Sequence, residues 1–407
     1  MLLLGVAMLS IKRILVAICV LLPCVAMADE SSIHDPRIVA FERALIDLYK
    51  RSDNDPKRWG IEQRMAHYNI PGMALAIIEN NQVIWAAGYG NRMAKSATPV
   101  DTSTLFSVGS VSKMVNAALI LKLVEEGTLA LNRDVNRYLT SWQIPPSRHT
   151  RKNKVTLSQI LSHTAGFNVH GFADFMPGQE LPSIIDTLNG DYPARHGRVR
   201  VVFTPGSEMD YSGGGIQVSQ LIATDMKKQT YEQLAQSYVF QPLGMSRSTF
   251  QNPLPATMGN IANAHDDDGE PSAKPRGWEA MPEMAASGLW TTADDLAKFV
   301  IALLDTYQAK SDYYSQATIQ QMMRRQPNSW YGLGPRLNGS GESLVFHHGG
   351  ANQSYRAWIE GHLNTGNGIV ILTNGTNGHL LNRELRNAAE DIFGWAVNAK
   401  SGLAEPD

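Results

Sequence analysis

Hydrophobic and polar positions change their spacing along the chain, and the spacing predicts strands near both ends. At 72–91 two apolar runs flank the polar turn Glu79-Asn80-Asn81-Gln82, a pattern typical of a β-hairpin. After Trp330 three more apolar runs indicate strands, at 343–350, 354–362 and 366–375. Their separation in sequence predicts one sheet assembled from the N- and C-terminal parts of the chain.

Helical spacing dominates elsewhere. Residues 35–68 carry an amphipathic stripe with one polar break, and 381–399 carry another. The stretch 289–305 predicts a helix with Thr291 or Thr292 as its N-cap. Between 128 and 278, short helical patterns alternate with Pro- and Gly-rich loops, which predicts a mostly helical lobe.

The predicted fold is therefore a mixed α/β (α+β) domain spanning residues 29–407. An antiparallel sheet flanked by helices on both faces packs beside an all-helical lobe. The α/β lobe is expected at about 35–127 and 285–399, and the helical lobe at about 128–284.

The first 28 residues have the pattern of a signal peptide. Lys12 and Arg13 precede an apolar run at 14–25, and Ala26-Met27-Ala28 forms a small-residue cleavage site. We expect export of a bacterial protein, to the periplasm or beyond, with no stable membrane span after cleavage; a retained anchor is the alternative. Both cysteines, Cys19 and Cys24, fall in this segment, so the mature chain would have no disulfide, catalytic thiol or thiolate metal site.

Composition narrows the function further. The 407 residues are 43% hydrophobic and 18% charged, with a net charge of −2. This is ordinary soluble composition, and it gives no support to a nucleic-acid or anionic-membrane partner. Of the partner classes considered, a small-molecule substrate is the one that we expect. The sequence contains no G-x-S-x-G elbow, P-loop or dinucleotide fingerprint, and the acidic loop at 263–270 does not match a calcium-binding loop.

One candidate nucleophile stands at the start of a predicted helix. Apolar residues recur at helical spacing from Val111, and Gly127 follows where a helix would end. Ser110 lies at or just inside the N-terminus of this helix, and Lys113 is three residues later on the same face. A serine needs a base within hydrogen-bond reach, and a lysine of lowered pKa can supply it. The alternative is an N-cap serine beside a solvated lysine.

Two further motifs carry residues suited to acyl transfer. Tyr211 is followed at once by Ser212 and three glycines, and is either a proton carrier or a packed aromatic. His348, Gly349 and Gly350 end an apolar strand, where missing side chains would let a ligand carbonyl approach backbone N–H groups. The alternative is a glycine turn with two exposed histidines. A metal site is disfavoured, because adjacent residues of a strand point to opposite faces.

Taken in order, Ser-x-x-Lys, Tyr-Ser-Gly and His-Gly-Gly resemble the serine β-lactamase and penicillin-binding-protein superfamily. The likeness is to the class C β-lactamase-like branch, which includes family VIII esterases, D-aminopeptidases and DD-peptidase-like proteins. The segments at 162–167, 241–245 and 286–299 resemble connecting signatures of that branch. The resemblance extends from about Tyr68 to Ala399.

The resemblance implies a role for each matching residue. Ser110 resembles the acylated nucleophile, and Lys113 the partner that shares or takes its proton. Tyr211 resembles the tyrosine general base, whose deprotonated form two nearby cations would favour. His348 stands where many members have the Lys of Lys-Thr-Gly. The backbone N–H groups of Ala351 and Ser110 would form the oxyanion hole, and no cofactor is required.

Two positions depart from the family pattern. Gly213 stands where the second motif often has an Asn that binds a substrate amide, and His348 replaces a permanent cation. Both changes favour an ester, amide or peptide hydrolase of the esterase or aminopeptidase kind. A β-lactamase or DD-peptidase is the first alternative, and a non-catalytic penicillin-binding sensor is the second. The sequence leaves the acyl group, its chirality and the oligomeric state undetermined.

Overall fold

The computed structural model of the chain describes residues 35–48 and 57–395. The predicted signal peptide and the end of the predicted C-terminal helix lie outside these residues. The described residues from Pro36 onward belong to one compact unit. No helix in the described ranges combines the length and the apolar character needed to cross a bilayer.

The strands, in chain order, are β1 (Leu45–Ile46), β2 (Arg58–Trp59), β3 (Gly72–Glu79), β4 (Gln82–Gly90), β5 (Phe106–Ser107), β6 (Trp290–Thr291), β7 (Arg336–Asn338), β8 (Val345–Asn352), β9 (Tyr355–His362) and β10 (Asn367–Thr373). The α-helices are α1 (Pro36–Phe41), α2 (Ile61–His67), α3 (Ser112–Glu125), α4 (Leu157–Leu161), α5 (Ile184–Asn189), α6 (Gly213–Lys227), α7 (Tyr231–Ala235), α8 (Met284–Ser287), α9 (Ala293–Tyr307), α10 (Gln316–Met322) and α11 (Gly378–Phe393). Short 3₁₀ turns occupy Gly109–Val111, Val135–Arg137, Ala256–Met258 and Gly341–Ser343, and a π-helical turn occupies Gln236–Phe240.

The main sheet confirms the predicted assembly from both ends of the chain. It has six strands in the order β4-β3-β10-β9-β8-β7, and every neighbouring pair is antiparallel. The hairpin β3–β4 turns at Asn80 and Asn81, whose φ angles are 52° and 63°. Asparagine tolerates this left-handed backbone better than most residues, and two such residues match the twist of a tight hairpin.

Alternating residues of the sheet feed two hydrophobic clusters, one on each face. In β10, Val370 and Leu372 belong to the cluster that includes α3 and α9, whereas Ile369 and Ile371 pack with α11. This two-residue period is what a sheet covered on both faces requires. Helix α9 begins after Thr292, whose hydroxyl accepts the Asp295 amide as the predicted N-cap.

The predicted helix at 35–68 is wrong over much of its length. The structure has two short helices, α1 and α2, with the strand pair β1–β2 between them. One hydrophobic cluster, on the α11 face of the sheet, contains apolar side chains from α1, β1 and α2: Phe41, Leu45, Ile61 and Met65. An apolar stripe of this kind marks which side chains are buried, and it does not show that the backbone stays helical between them.

The central stretch is less helical than its pattern predicts. Of its helices only α6 is long, and loops connect α4, α5, α6 and α7. Helix α3 is also unlike an ordinary amphipathic helix, because it packs against α6, α7 and α8 and is buried on nearly all sides. A helix that is surrounded in this way can place a polar side chain deep inside the protein.

We expect the buried ion pair beneath the sheet to matter for stability. Arg64 Nη2 lies 2.5 Å from Glu384 Oε1, and the two side chains are 3% and 0% exposed. Arg64→Met should lower the free energy of unfolding by about 3 kcal/mol, because it leaves the buried Glu384 carboxylate without its cation. Arg37→Met, in the more exposed pair with Glu79, is the control and should cost about 1 kcal/mol or less. Urea titrations measure both, and equal losses would contradict the prediction.

Candidate active site

Ser110 lies in the 3₁₀ turn Gly109–Val111, which leads directly into α3. Neighbouring backbone fixes this turn. The Val108 amide donates to the Leu289 carbonyl at 3.1 Å, and the Ser112 hydroxyl donates to the Gly109 carbonyl at 2.6 Å. The turn therefore presents Ser110 at the start of a buried helix, close to where the sequence pattern predicts it.

Lys113 reaches back from the first turn of α3 to the serine. Its Nζ lies 3.0 Å from Ser110 Oγ and donates to the Ala286 carbonyl at 2.8 Å. The side chain is 2% exposed, and burial lowers the pKa of Lys113 to about 7. Water would favour the charged amine, and burial removes that preference. A substantial fraction of the amine is therefore neutral near neutral pH.

Tyr211 completes a trio with Ser110 and Lys113. The Ser110 side chain is near enough to affect the pKa of its phenol, and Lys113 Nζ lies 4.8 Å from the centre of its ring. Burial and the neighbouring Tyr331 raise the pKa of Tyr211 well above its ordinary value, although Ser110 acts in the opposite direction. The phenol is therefore protonated at neutral pH, in contrast to the deprotonated form that the family resemblance suggests.

His348 faces the same trio from β8. Its ring centre is 6.3 Å from that of Tyr211, and its Nδ1 lies 2.6 Å from the Gly349 carbonyl oxygen. Burial, with a smaller effect of Lys113 and Arg336, lowers the pKa of His348 to about 3. Because a carbonyl only accepts, Nδ1 carries the proton of the neutral ring. His348 is thus an uncharged residue at the position of the family's lysine.

Glycines let strand β8 contact the serine turn through backbone alone. A Cβ built on Gly350 would lie 2.0 Å from the Val108 carbonyl oxygen and 3.2 Å from the Ser110 nitrogen. One built on Gly109, whose φ is +50°, would lie 2.6 Å from the Ala351 nitrogen. The two backbones are therefore too close for side chains. The amides of Ser110 and Ala351, the predicted oxyanion pair, both lie at this contact.

The other two glycines that were predicted to bind substrate, Gly349 and Gly213, are packed against aromatic rings. A Cβ on Gly349 would lie 3.3 Å from the Trp358 ring. The Gly213 amide donates to the His170 carbonyl at 2.8 Å, and a Cβ there would lie 2.9 Å from the Phe172 ring. Phe172 thus covers the position where the family often has Asn, and the buried backbone of Gly213 is not presented to a substrate.

The structure adds residues that the sequence reasoning did not assign. Around Tyr211, ring centres lie 4.3 Å away for His163, 4.9 Å for His170 and 6.1 Å for Tyr331. Ala286 accepts from the lysine, and Asn352 Nδ2 ties β8 to Ser107 Oγ at 2.7 Å. His163 lies in the signature at 162–167, which could have directed attention to it. Ala286 likewise begins the signature at 286–299. Nothing in the local sequence marks the other residues.

The two adjacent histidines of β8 do face opposite sides. His347 stacks on Trp358 with ring centres 4.9 Å apart. Trp358 belongs to the hydrophobic cluster on the α11 face of the sheet, away from Tyr211. In the described part of the chain, no group of three or more His, Cys, Asp or Glu side chains is arranged to hold a metal ion.

The chain belongs to the Beta-lactamase family, whose sequence profile matches residues 60–392. PbpX of Bacillus subtilis (strain 168), which is named as a penicillin-binding protein, is 26% identical over 296 residues, covering 70% of this chain and 68% of PbpX. A beta-lactamase of Lysobacter lactamgenus is 29% identical over 244 residues, covering 59% and 57% of the two chains. The chain therefore spans only part of the length of these relatives.

Solved structures share the fold. A penicillin-binding protein homologue from Pyrococcus abyssi, described as octameric, superposes with a TM-score of 0.67 at 23% identity, covering 82% of this chain and 76% of its own. EstCE1, described as a hydrolase with promiscuous acyltransferase activity, superposes with a TM-score of 0.65 at 21% identity, covering 81% and 96%. The β-lactamase-like fold of this chain is thereby established.

The close contact at Gly350 generates a prediction. Gly350→Ala should force β8 away from the serine turn, because its methyl group has no room beside the Val108 carbonyl. We expect ester turnover and the rate of Ser110 labelling by a fluorophosphonate to fall by about 10²-fold or more, as for loss of an oxyanion donor. Gly197→Ala is the control, since a Cβ there meets nothing within 4 Å. Wild-type rates in Gly350→Ala would contradict the arrangement.

Proposed function

We propose that this protein is a serine hydrolase that forms an acyl-enzyme at Ser110. The observation that carries the proposal is the buried Lys113 amine, 3.0 Å from Ser110 Oγ, with its pKa lowered to about 7. A neutral amine in contact with a hydroxyl is the arrangement that activates a serine nucleophile. Membership of the Beta-lactamase family supports the proposal.

In the first step, neutral Lys113 acts as the base. Lys113 Nζ donates to the Ala286 carbonyl and lies within hydrogen-bond distance of Ser110 Oγ, so rotation of the neutral amine can turn its lone pair toward the serine. As Lys113 takes the proton, Ser110 Oγ bonds to the substrate carbonyl carbon, and the electron pair of the carbonyl moves onto its oxygen. The amides of Ser110 and Ala351 would stabilise that oxyanion.

In the second step, the intermediate collapses and expels the alcohol or amine. The leaving group needs a proton, and the protonated phenol of Tyr211 lies beside Ser110 and Lys113. We propose that Tyr211 gives its proton to the leaving group and recovers one from the Lys113 ammonium. Water then attacks the acyl-enzyme while Lys113 takes one of its protons. As the acyl–oxygen bond breaks, the Lys113 ammonium returns that proton to Ser110 Oγ, which releases the acid and restores both residues.

The substrate class that we favour is a neutral ester. A neutral His348 cannot form the ion pair with a substrate carboxylate that a lysine provides, and Phe172 covers the place of an amide-binding Asn. The esterase-like name of EstCE1 supports this choice. An amide or peptide substrate is the nearest alternative. The names of the penicillin-binding and β-lactamase relatives support a β-lactam or peptidoglycan substrate, and a non-catalytic sensor is the remaining alternative.

Export also belongs to this proposal. The segment that predicts it lies outside the described residues, so its support is the sequence pattern at 1–28 alone.

Intact-mass spectrometry tests the proposed function. The protein is incubated with a fluorophosphonate and, separately, with penicillin. We expect a single fluorophosphonate adduct on Ser110, steady hydrolysis of a p-nitrophenyl ester, and loss of both in Ser110→Ala. A persistent penicillin adduct would favour a penicillin-binding protein. Absence of both adducts and of turnover would refute an enzyme of this class.

The lowered pKa of Lys113 generates a pH prediction. Only the neutral amine can take the serine proton, so kcat/KM should rise with pH and level off above about 7. Below that pH, activity should fall about tenfold per pH unit, as for a single base. Lys113→Arg should be inactive at every pH, because a guanidinium stays protonated. His348→Gln is the control and should keep the limb near pH 7; a flat profile from pH 5 to 9 would exclude this base.

The neutral His348 generates a prediction about selectivity. His348→Lys places a potential cation beside the acyl-enzyme site, where it can bind the carboxylate of penicillin. A hydrogen bond to a charged group is worth about 1.5–3 kcal/mol, so the rate of acylation by penicillin relative to ester hydrolysis should rise about tenfold or more. His348→Gln removes the imidazole without adding charge and should leave the ratio near that of the wild type. An unchanged ratio in His348→Lys would show that this position does not select against carboxylates.

A further inference from the structure

One residue, His163, binds the backbone on both sides of Tyr211. The amide of Asp210 donates to the His163 carbonyl at 2.9 Å, and the amide of Ser212 donates to His163 Nδ1 at 3.2 Å. The imidazole also packs against the phenol, with ring centres 4.3 Å apart and planes inclined by 37°. His163 therefore holds the tyrosine through two peptide groups and one ring face.

His163 adopts a backbone conformation that few residues with a side chain adopt. Its φ is +60°, and it follows Ser162, the C-cap of α4. Glycine or asparagine would suit this left-handed backbone better. The side chain is 3% exposed. Its contacts with the Tyr211 segment offer a reason for a histidine at this strained position.

The hydrogen bond from Ser212 also fixes the protonation of the ring. An amide N–H only donates, so Nδ1 must carry a lone pair, and the neutral ring carries its proton on Nε2. Burial, with Lys113, His348 and His170 nearby, lowers the pKa of His163 well below its ordinary value. The acceptor is therefore maintained at neutral pH.

We propose that His163 is the positioning residue for Tyr211. It does not touch the reacting atoms; it fixes the phenol beside Ser110 and Lys113 by holding Asp210 and Ser212. Ser212 is in turn the N-cap of α6, since its hydroxyl accepts the Gly215 amide at 3.1 Å. The tyrosine is thereby held between α4 and α6. The inference rests on the proposed function, in which Tyr211 carries a proton to the leaving group.

Two substitutions at position 163 test the hydrogen-bond acceptor and the aromatic ring of His163 separately. His163→Phe keeps an aromatic ring but leaves the Ser212 amide without its acceptor. We expect kcat for a p-nitrophenyl ester to fall about 30-fold with KM little changed, because a small misplacement of a reacting group is costly. His163→Asn keeps an acceptor oxygen near the Nδ1 position and tolerates the left-handed backbone. It should recover most of the lost kcat.

A double-mutant cycle distinguishes positioning from general structural support. In the Tyr211→Phe background there is no hydroxyl to position, so His163→Phe should cause little further loss of kcat. A merely structural residue would cause the same loss in both backgrounds. Thermal unfolding establishes that each variant is folded. If His163→Phe folds poorly, His163→Gly replaces it, because glycine suits the backbone and also lacks the acceptor.

Three results would overturn the inference: wild-type kcat in His163→Phe, equal losses in the two backgrounds, or no advantage of His163→Asn over His163→Phe. These require wild-type turnover that depends on Ser110. If the wild type has no such turnover, the proposed function fails and the positioning role fails with it. Turnover with an unaffected His163→Phe overturns the positioning role alone.

Discussion

Burial of the Lys113 amine, which has no acidic partner among the described residues, is the constraint on which the site depends. Lys113 projects from a helix that is surrounded by protein, and its hydrogen bonds run to Ser110 Oγ and the Ala286 carbonyl. A charged ammonium in such surroundings is costly unless it is paired. The fold therefore holds the amine near neutrality. A lysine on the surface, at the same sequence spacing, would remain charged and could not take a proton.

The geometry around that amine comes from backbone segments far apart in sequence. The serine turn, the Ala286 turn and strand β8 meet because the sheet joins both ends of the chain and β8 packs against the serine turn and α8. Gly109 and Gly350 allow the turn and the strand to approach more closely than side chains permit. The hydrogen bond of Asn352 to Ser107 then fixes the strand in place. The proposed oxyanion donors, the amides of Ser110 and Ala351, lie at this same contact between turn and strand.

Local signals in the sequence were enough for much of the fold. The Asn80-Asn81 turn, the C-terminal strands and the Thr292 N-cap were predicted correctly, because each depends on neighbours a few residues away. The helix at 35–68 was wrong, because burial of apolar residues does not fix the backbone between them. The burial of α3 on nearly all sides was also not apparent, because it depends on helices that fold around it from later in the chain.

The features of the site also differ in whether local sequence was enough to predict them. Ser110 and Lys113 are neighbours on one turn, so their contact could be predicted from spacing. Burial in the tertiary structure determines three other features of the site, and no sequence motif reveals it. These are the protonated phenol of Tyr211, the neutral ring of His348 and the packing of Phe172 over Gly213. His163 was part of a recognised signature, yet its hydrogen bonds to both flanks of Tyr211 appear only when the two segments are brought together.

The replacement of lysine by His348 has a consequence for the identity of the base. Lys113 and Tyr211 can share one proton in two ways, as ammonium with phenolate or as amine with phenol. Burial disfavours the charged pair, and a second fixed cation beside the phenolate would offset that cost. His348 is neutral and supplies no such charge. The balance therefore moves to the neutral pair, which is why the mechanism that we propose assigns the base to Lys113 and the proton donor to Tyr211. In a relative with lysine at this position, the same trio of side chains would be expected to hold the proton differently.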